Sequence, residues 1–172
     1  MSAYQVCPVA RMEKLLLPAD GSVSNEGAVR VAIELAKTCG SKLYIMSVIE
    51  VPAFGGEFVE TLPKVVKKLE TDTRRLLESL KERAAKEGVS CDAIMYEGGE
   101  PYKHIVDEAA KNNVEMIIMG RHGNTGLKRL MMGSVTAKVI GHAPARSWLY
   151  LGMSGSLLKK SLLLQTAQYI VN

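Results

Sequence analysis

The chain has 172 residues, 22 Lys and Arg against 18 Asp and Glu for a net charge of +4, 47% hydrophobic residues and 5% aromatic ones. That composition describes one globular domain large enough for a real core. The charge is too small and too evenly interleaved for a nucleic-acid face, and there are few rings on which to stack single-stranded bases. No run approaches the ~18 apolar residues of a membrane span. The N-terminal MSAYQVCPVARMEK lacks the apolar core of a signal peptide. Cys7, Cys39 and Cys91 are far apart with no CxxC among them, so the expectation is reduced, buried thiols in a cytoplasmic protein without a membrane anchor.

Residues 1–12 read as a lead-in. Lys14-Leu15-Leu16-Leu17, stopped by Pro18, is a short strand apolar on both faces. Ala19-Asp20-Gly21-Ser22 is the turn after it, and Ser24 or Asn25 is placed to cap the next helix. From Glu26 to Thr38 the positions Ala28, Val31, Ala32, Leu35 and Ala36 share one helical face, and Cys39-Gly40 ends the segment. Leu43 to Ile49 is a second strand. Residues 50–60, EVPAFGGEFVE, read as a loop. Leu62, Val65, Val66, Leu69, Leu76, Leu77, Leu80 and Ala84, with Thr73 in the gap, form the stripe of a long amphipathic helix that runs to about Lys86 and stops at Gly88. Cys91 to Tyr96 is a third strand, Gly98-Gly99-Glu100-Pro101 a turn, and 102–112 a helix for which Pro101 is a good first residue. Glu115 to Met119 is the fourth strand. After a glycine loop, Val135, Val139 and Ile140 mark a short helix broken at Ala143-Pro144, and Ser147 to Leu151 is the fifth strand.

Strands alternating with helices predict a parallel sheet covered on both faces, with right-handed crossovers. Ligands of such sheets bind beyond the carboxyl ends of the strands, where the strand order reverses. The first and fourth strands end at Asp20 and Gly120, and a common site there requires the two strands to be neighbours, which the sequence leaves open. The fourth strand runs into Gly120, Arg121, His122 and Gly123, and Gly133-Ser134 opens the next helix. Glycines admit a phosphate close to the backbone, and the first N–H groups of a helix, at the positive end of its dipole, have no partner within it. This loop is therefore the candidate holder of nucleotide phosphates.

The spacing Gly120-x2-Gly123-x9-Gly133-Ser134, together with PADGS at 18–22, SVIE at 47–50, GGEP at 98–101, IIMGRHG at 117–123, and GSVTAKVI with HAP over 133–144, resembles the ATP-binding branch of the universal stress protein family over residues 13–151. The resemblance implies a Rossmann-like sheet of the adenine nucleotide alpha hydrolase kind, five parallel strands in the order 3-2-1-4-5 with helices on both faces. It also implies a homodimer formed through the fifth strand, and ATP bound with Mg2+ or Mn2+ held mainly through the phosphates. By position, Pro18, Ala19 and Asp20 would line the adenine and ribose end, with Val48 against adenine. Met119, Gly120, Arg121, His122 and Gly123 would follow the ribose and phosphates, and Gly133, Ser134, Val135 and Thr136 would cradle the phosphates with N–H and hydroxyl groups. Two features depart from the pattern. Arg146-Ser147-Trp148 replaces a valine-rich last strand, and residues 152–172 extend past the domain, with Leu157, Leu158, Leu162 and Tyr169 on one side of an expected helix. That helix, which also takes in Ser161 and Gln165, packs its face on its own domain or on a partner chain. A membrane surface is the weaker reading, because Lys159 and Lys160 are its only cations.

Asp20 has two readings, a cap for the following helix or a ligand contact, and the surrounding motif favours the second. His122 has no acid or nucleophile at a fixed spacing, so backbone positioning or a ligand contact is the better assignment. His104 and His142 form no zinc pattern. Lys128 and Arg129 read as solvent-exposed, and Met116, Met119, Met131 and Met132 mainly as core filling. No Walker lysine motif is present, and no catalytic residue is assigned. The sequence thus predicts a nucleotide-dependent regulatory or stress-response protein. The alternatives are a slow ATPase or nucleotidyl or phosphoryl transferase, and a structural dimer independent of nucleotide.

Overall fold

The computed structural model describes residues 12–51, 62–120, 132–144 and 148–152. Its elements are β1 (Lys14–Pro18), a 3-10 turn (Val23–Asn25), α1 (Glu26–Cys39), β2 (Lys42–Ile49), α2 (Leu62–Lys86), β3 (Cys91–Glu97), α3 (Pro101–Lys111), β4 (Met116–Gly120), α4 (Ser134–His142) and β5 (Trp148–Gly152). The strands form one five-stranded sheet in the order β3-β2-β1-β4-β5, and every neighbouring pair is parallel. The predicted architecture is therefore the observed one.

The central strands are apolar throughout because successive side chains serve opposite faces. On one face Leu15, Leu17, Leu43, Ile45, Met116 and Ile118 meet Ala28, Val31, Ala32 and Leu35 of α1 and Leu77, Leu80 and Ala84 of α2. On the other, Leu16, Tyr44, Met46, Ile117 and Met119 meet Ile105 and Ala109 of α3 and Val139 of α4. Each fully buried Leu or Ile in these layers contributes roughly 1.5–3 kcal/mol. Gly40 closes α1 at φ 68°, a left-handed conformation, with its N–H on the Ala36 carbonyl.

Three expectations change. Asn25 stands at the N-cap position of α1 but does not cap it through its side chain: the chain enters the helix by the 3-10 turn, and the Asn25 carboxamide donates to the Pro18 carbonyl instead. The α2 stripe is fully buried only at Leu77, Leu80 and Ala84, half-buried at Leu62, Val66, Leu69, Thr73 and Leu76, and 38% exposed at Val65. Cys39 is disulfide-bonded and Cys91 is a half-buried free thiol, so three reduced thiols are not what the fold carries, and the cysteines no longer argue for a reducing compartment. Cys7, most of the 50–60 loop, the loop at 121–131 and the 153–172 extension lie outside the described residues.

Candidate functional site

The order of the sheet makes β1 and β4 neighbours at the switch point: from β1 the chain builds toward β2 and β3, then crosses to β4 on the other side. The two strands part early. β1 follows β2 as far as Pro18–Met46, and β4 follows β5 as far as Gly120–Gly152, but β1 and β4 pair only at Leu15–Met116 and Leu16–Ile117. Beyond that point a crevice opens between their carboxyl ends.

Each strand end leaves a carbonyl for a side chain to satisfy. The Ala19 N–H donates to Met46 O of β2 at 2.8 Å. Because a trans peptide points its C=O and the next N–H in opposite directions, the Pro18 carbonyl faces β4. Asn25 Nδ2 donates to it at 3.1 Å. Across the crevice Thr136 Oγ1, on the first turn of α4, donates to Gly120 O at 3.0 Å. Both side chains are buried, at 6% exposure for Asn25 and 3% for Thr136. The Thr136 contact aims the start of α4 at the end of β4. Gly133 occupies the N-cap position without a side-chain cap, and the first helical bond is Ala137 N–H to Gly133 O. The N–H groups of Ser134, Val135 and Thr136 therefore have no acceptor within the helix, and with the positive end of the dipole they stand at the end of β4 to which Thr136 is bonded.

Of the residues singled out from sequence, Pro18, Ala19 and Asp20 stand at the end of β1, Val48 near the end of β2, Met119 and Gly120 at the end of β4, and Gly133, Ser134, Val135 and Thr136 at the start of α4. The fold thus gathers them at one end of the sheet. Arg121, His122 and Gly123 lie outside the described residues. Asp20 is exposed, and its Oδ1 accepts from the Ser22 N–H at 2.9 Å and from Ser22 Oγ at 2.7 Å. It shapes the turn rather than capping α1. Ala19 and Met119 are buried, Val48 is half-buried against the cluster below α3 and α4, and Ser134 is exposed. The Thr136 hydroxyl proton is committed to Gly120, so this residue offers an incoming anion its N–H.

The described residues contain no group of three His, Cys, Asp or Glu able to hold a metal ion. His104 stacks on Tyr96 at 4.5 Å with Nε2 2.9 Å from Gly98 O, and His142 Nδ1 lies 2.7 Å from Lys138 O. Neither is paired with a nucleophile. Glu100, ahead of α3, bridges Lys103 at 2.9 Å and Lys138 of α4 at 2.7 Å. Lys138 first and Lys103 second hold its carboxyl down from 4.5 to about 2. This pair ties α4 to α3 below the crevice.

Sequence reasoning missed Asn25 as a site residue by treating it as a cap. The signal was its spacing: Asn25 stands three before Ala28 and seven before Ala32, on the buried stripe of the helix it precedes.

The model of the universal stress protein family matches residues 12–150. A universal stress protein of Methanocaldococcus jannaschii is 33% identical over 132 residues, covering 76% of this chain and 77% of that one. A universal stress protein of Bacillus subtilis is 34% identical over 137 residues, covering 73% and 90%. Among solved structures, universal stress protein UspA from Lactobacillus plantarum aligns with TM-score 0.73 at 21% identity, over 83% of this chain and 99% of that one. The fold is also shared, with TM-score 0.58 in both cases, by a universal stress protein in complex with cAMP at 20% identity and by an AMP-bound family protein of Arabidopsis thaliana at 18%. No helix among the described residues is long and apolar enough to cross a membrane. The matched span takes in every element of the sheet up to β5, and with it both walls of the crevice: this chain belongs to the universal stress protein family.

Proposed function

We propose that this chain binds ATP in the crevice between β1 and β4 and acts as a nucleotide-dependent regulatory or stress-response protein. The observation that carries the reading is the α4 N-terminus, fixed by Thr136 to the end of β4, where that strand has parted from β1. Three backbone N–H groups and a helix dipole suit phosphate oxygens. Gly120 and Gly133 place no side chain beside them, and Gly123 is the glycine that the sequence offers for the same purpose. Ala19 and Val48 supply the apolar ground on which adenine rests, and Asp20 supplies a carboxylate for sugar hydroxyls. The AMP and cAMP carried by two proteins of this fold support an adenine nucleotide as the ligand class.

A divalent cation fits this site in one way. The described residues form no carboxylate or histidine cage, and Asp20 already shapes its own turn. Mg2+ or Mn2+ therefore arrives with the nucleotide and takes its oxygen ligands from the phosphates and water. It supplies charge neutralisation there, while the chain orients the phosphates through α4. No base paired with a nucleophile stands at the crevice among the described residues, and this favours binding over turnover. Self-association belongs to the same reading. β5 is the edge strand of the sheet among the described residues, where a second copy could pair, and sedimentation at micromolar concentration checks for the dimer.

Titration calorimetry with MgATP tests the proposal. Micromolar binding is expected in the parent and none in Gly123→Val, whose branched side chain fills the phosphate loop. A folded, nucleotide-free parent that takes up no ATP overturns it. Phosphate release followed over hours separates binding from hydrolysis: release above background that disappears in Gly123→Val favours the enzyme.

A further inference from the structure

Asn25 is a buried polar side chain beside the split between β1 and β4, bonded through its amide nitrogen and not through its oxygen. Its Nδ2 donates to the Pro18 carbonyl, which faces β4 just where the β1–β4 ladder has ended. That bond fixes the sense of the carboxamide, since a carbonyl requires the nitrogen side. The Oδ1 then points away from Pro18. It is buried, and it is the one buried side-chain polar atom without a hydrogen-bond partner among the described residues. An unpaired buried acceptor is destabilising, and native structures retain few of them without a reason. The 3-10 turn that carries Asn25 lies beside β4 as well as α1, so this residue stands next to the split between the strands.

An acceptor needs a donor, and phosphates at neutral pH have none to offer. With phosphates at α4 and adenine against Ala19 and Val48, the part of a nucleotide that spans β1 and β4 is its sugar. We infer that Asn25 is a specificity-determining residue of the crevice, whose Oδ1 accepts a hydrogen bond from a ribose hydroxyl, directly or across one bridging water. This rests on the adenine-nucleotide reading given above. It adds to the carboxylate of Asp20 a second acceptor for the sugar, and so a preference for ribonucleotides that neither the apolar adenine end nor the N–H groups of α4 can produce. A site built to bond a hydroxyl rejects the analogue lacking it, because its own polar group is then left unpaired.

Calorimetry of the parent and of Asn25→Ala with MgATP and with its 2′-deoxy and 3′-deoxy analogues tests this. The parent should bind at least one deoxy analogue more weakly than ATP, by about tenfold or more, and Asn25→Ala should lose that discrimination for the analogue whose hydroxyl Asn25 meets. Asn25→Ala also strips the Pro18 carbonyl of its donor. Asn25→Ser, which leaves a hydroxyl for that carbonyl but removes the carboxamide oxygen, gives the same readout if the alanine variant does not fold. A purely structural role for Asn25 lowers the melting temperature and weakens every nucleotide equally. Loss of discrimination alone marks a ligand contact. Equal affinities in the parent overturn the inference and leave the nucleotide reading standing. Discrimination that survives in both variants also overturns it and moves the hydroxyl contact to Asp20. A parent that binds no nucleotide overturns the reading, and the inference with it.

Discussion

Thr136 does for the end of β4 what a strand neighbour does further down the sheet: it gives a buried carbonyl its donor and, in the same bond, sets the direction of a helix. Thr136→Val keeps the shape and removes the hydroxyl, leaving Gly120 O unpaired in an apolar setting. The expected loss is about 1–3 kcal/mol in urea unfolding, accompanied by weaker ATP binding as α4 loosens. A variant as stable as the parent would remove Thr136 as the anchor. Glu100 acts at the same scale by charge. Its ion pairs with Lys138 and Lys103 hold the folded carboxyl at about 2, below its ordinary 4.5. A depressed carboxylate contributes stability that is fully present above the ordinary value and is lost as pH falls through the folded one. The contribution should therefore fade between pH 4.5 and about 2. The Glu100 carboxyl resonance should titrate near the bottom of that range and move upward in Lys138→Met. A midpoint unchanged by that substitution would mean that Lys138 is not the holding charge.

Between elements, the seam of α3 and β3 shows why part of the molecule was readable and part was not. Periodicity found β1 to β4 and α1 to α3 because their stripes alternate with the pleat or the helical turn, as at Leu15, Leu16 and Leu17 or at Ala28, Val31, Ala32 and Leu35. It places polar residues on a buried stripe by their spacing but does not say what holds them there. Glu108 is such a residue. It stands between Ile105 and Ala109 on α3 at 1% exposure, and accepts from Tyr96 Oη of β3 at 2.5 Å, Asn112 Nδ2 at 2.5 Å and Lys111 Nζ at 2.8 Å. Burial pushes its carboxyl up, but the hydrogen bonds from Lys111, Tyr96 and Asn112 outweigh that and hold it below its ordinary value. A pattern of apolar letters records the role of neither Glu108 nor Asn25, because each is held by hydrogen bonds that reach outside its own helix, to Tyr96 of β3 and to Pro18 of β1. Glu108→Ala leaves the Tyr96 hydroxyl and the Asn112 amide without their acceptor, and a loss of about 1–3 kcal/mol is expected. A double-mutant cycle with Tyr96→Phe should return a coupling of about 0.5–3 kcal/mol, and additive losses would show that the two side chains do not share the bond.

For the molecule as a whole, the alternation of strands and helices pointed to a parallel sheet, but the adjacency of β1 and β4 came from the family resemblance and not from periodicity. Pairing between strands so far apart in sequence leaves no local trace in either. The adjacency matters because the crevice exists only where those two strands part, and a ligand there bridges segments from both halves of the chain. Such a ligand binds the native state and not the unfolded one, so it must raise the melting temperature. At a free MgATP concentration a hundredfold above its dissociation constant the gain is about 2.7 kcal/mol. For a chain of this size that corresponds to a rise of roughly 5–11 °C, taking about 2–4 °C per kcal/mol. The cation's place can be read in the same experiment. With no cage of carboxylates or histidines among the described residues, chelator alone should leave the melting temperature of the nucleotide-free protein where it was. Chelator added with ATP should cut the nucleotide-induced rise, because the phosphates then meet α4 without their counter-charge. If chelator alone destabilises the nucleotide-free protein, the metal is held by the chain itself, and the cation does not enter with the nucleotide.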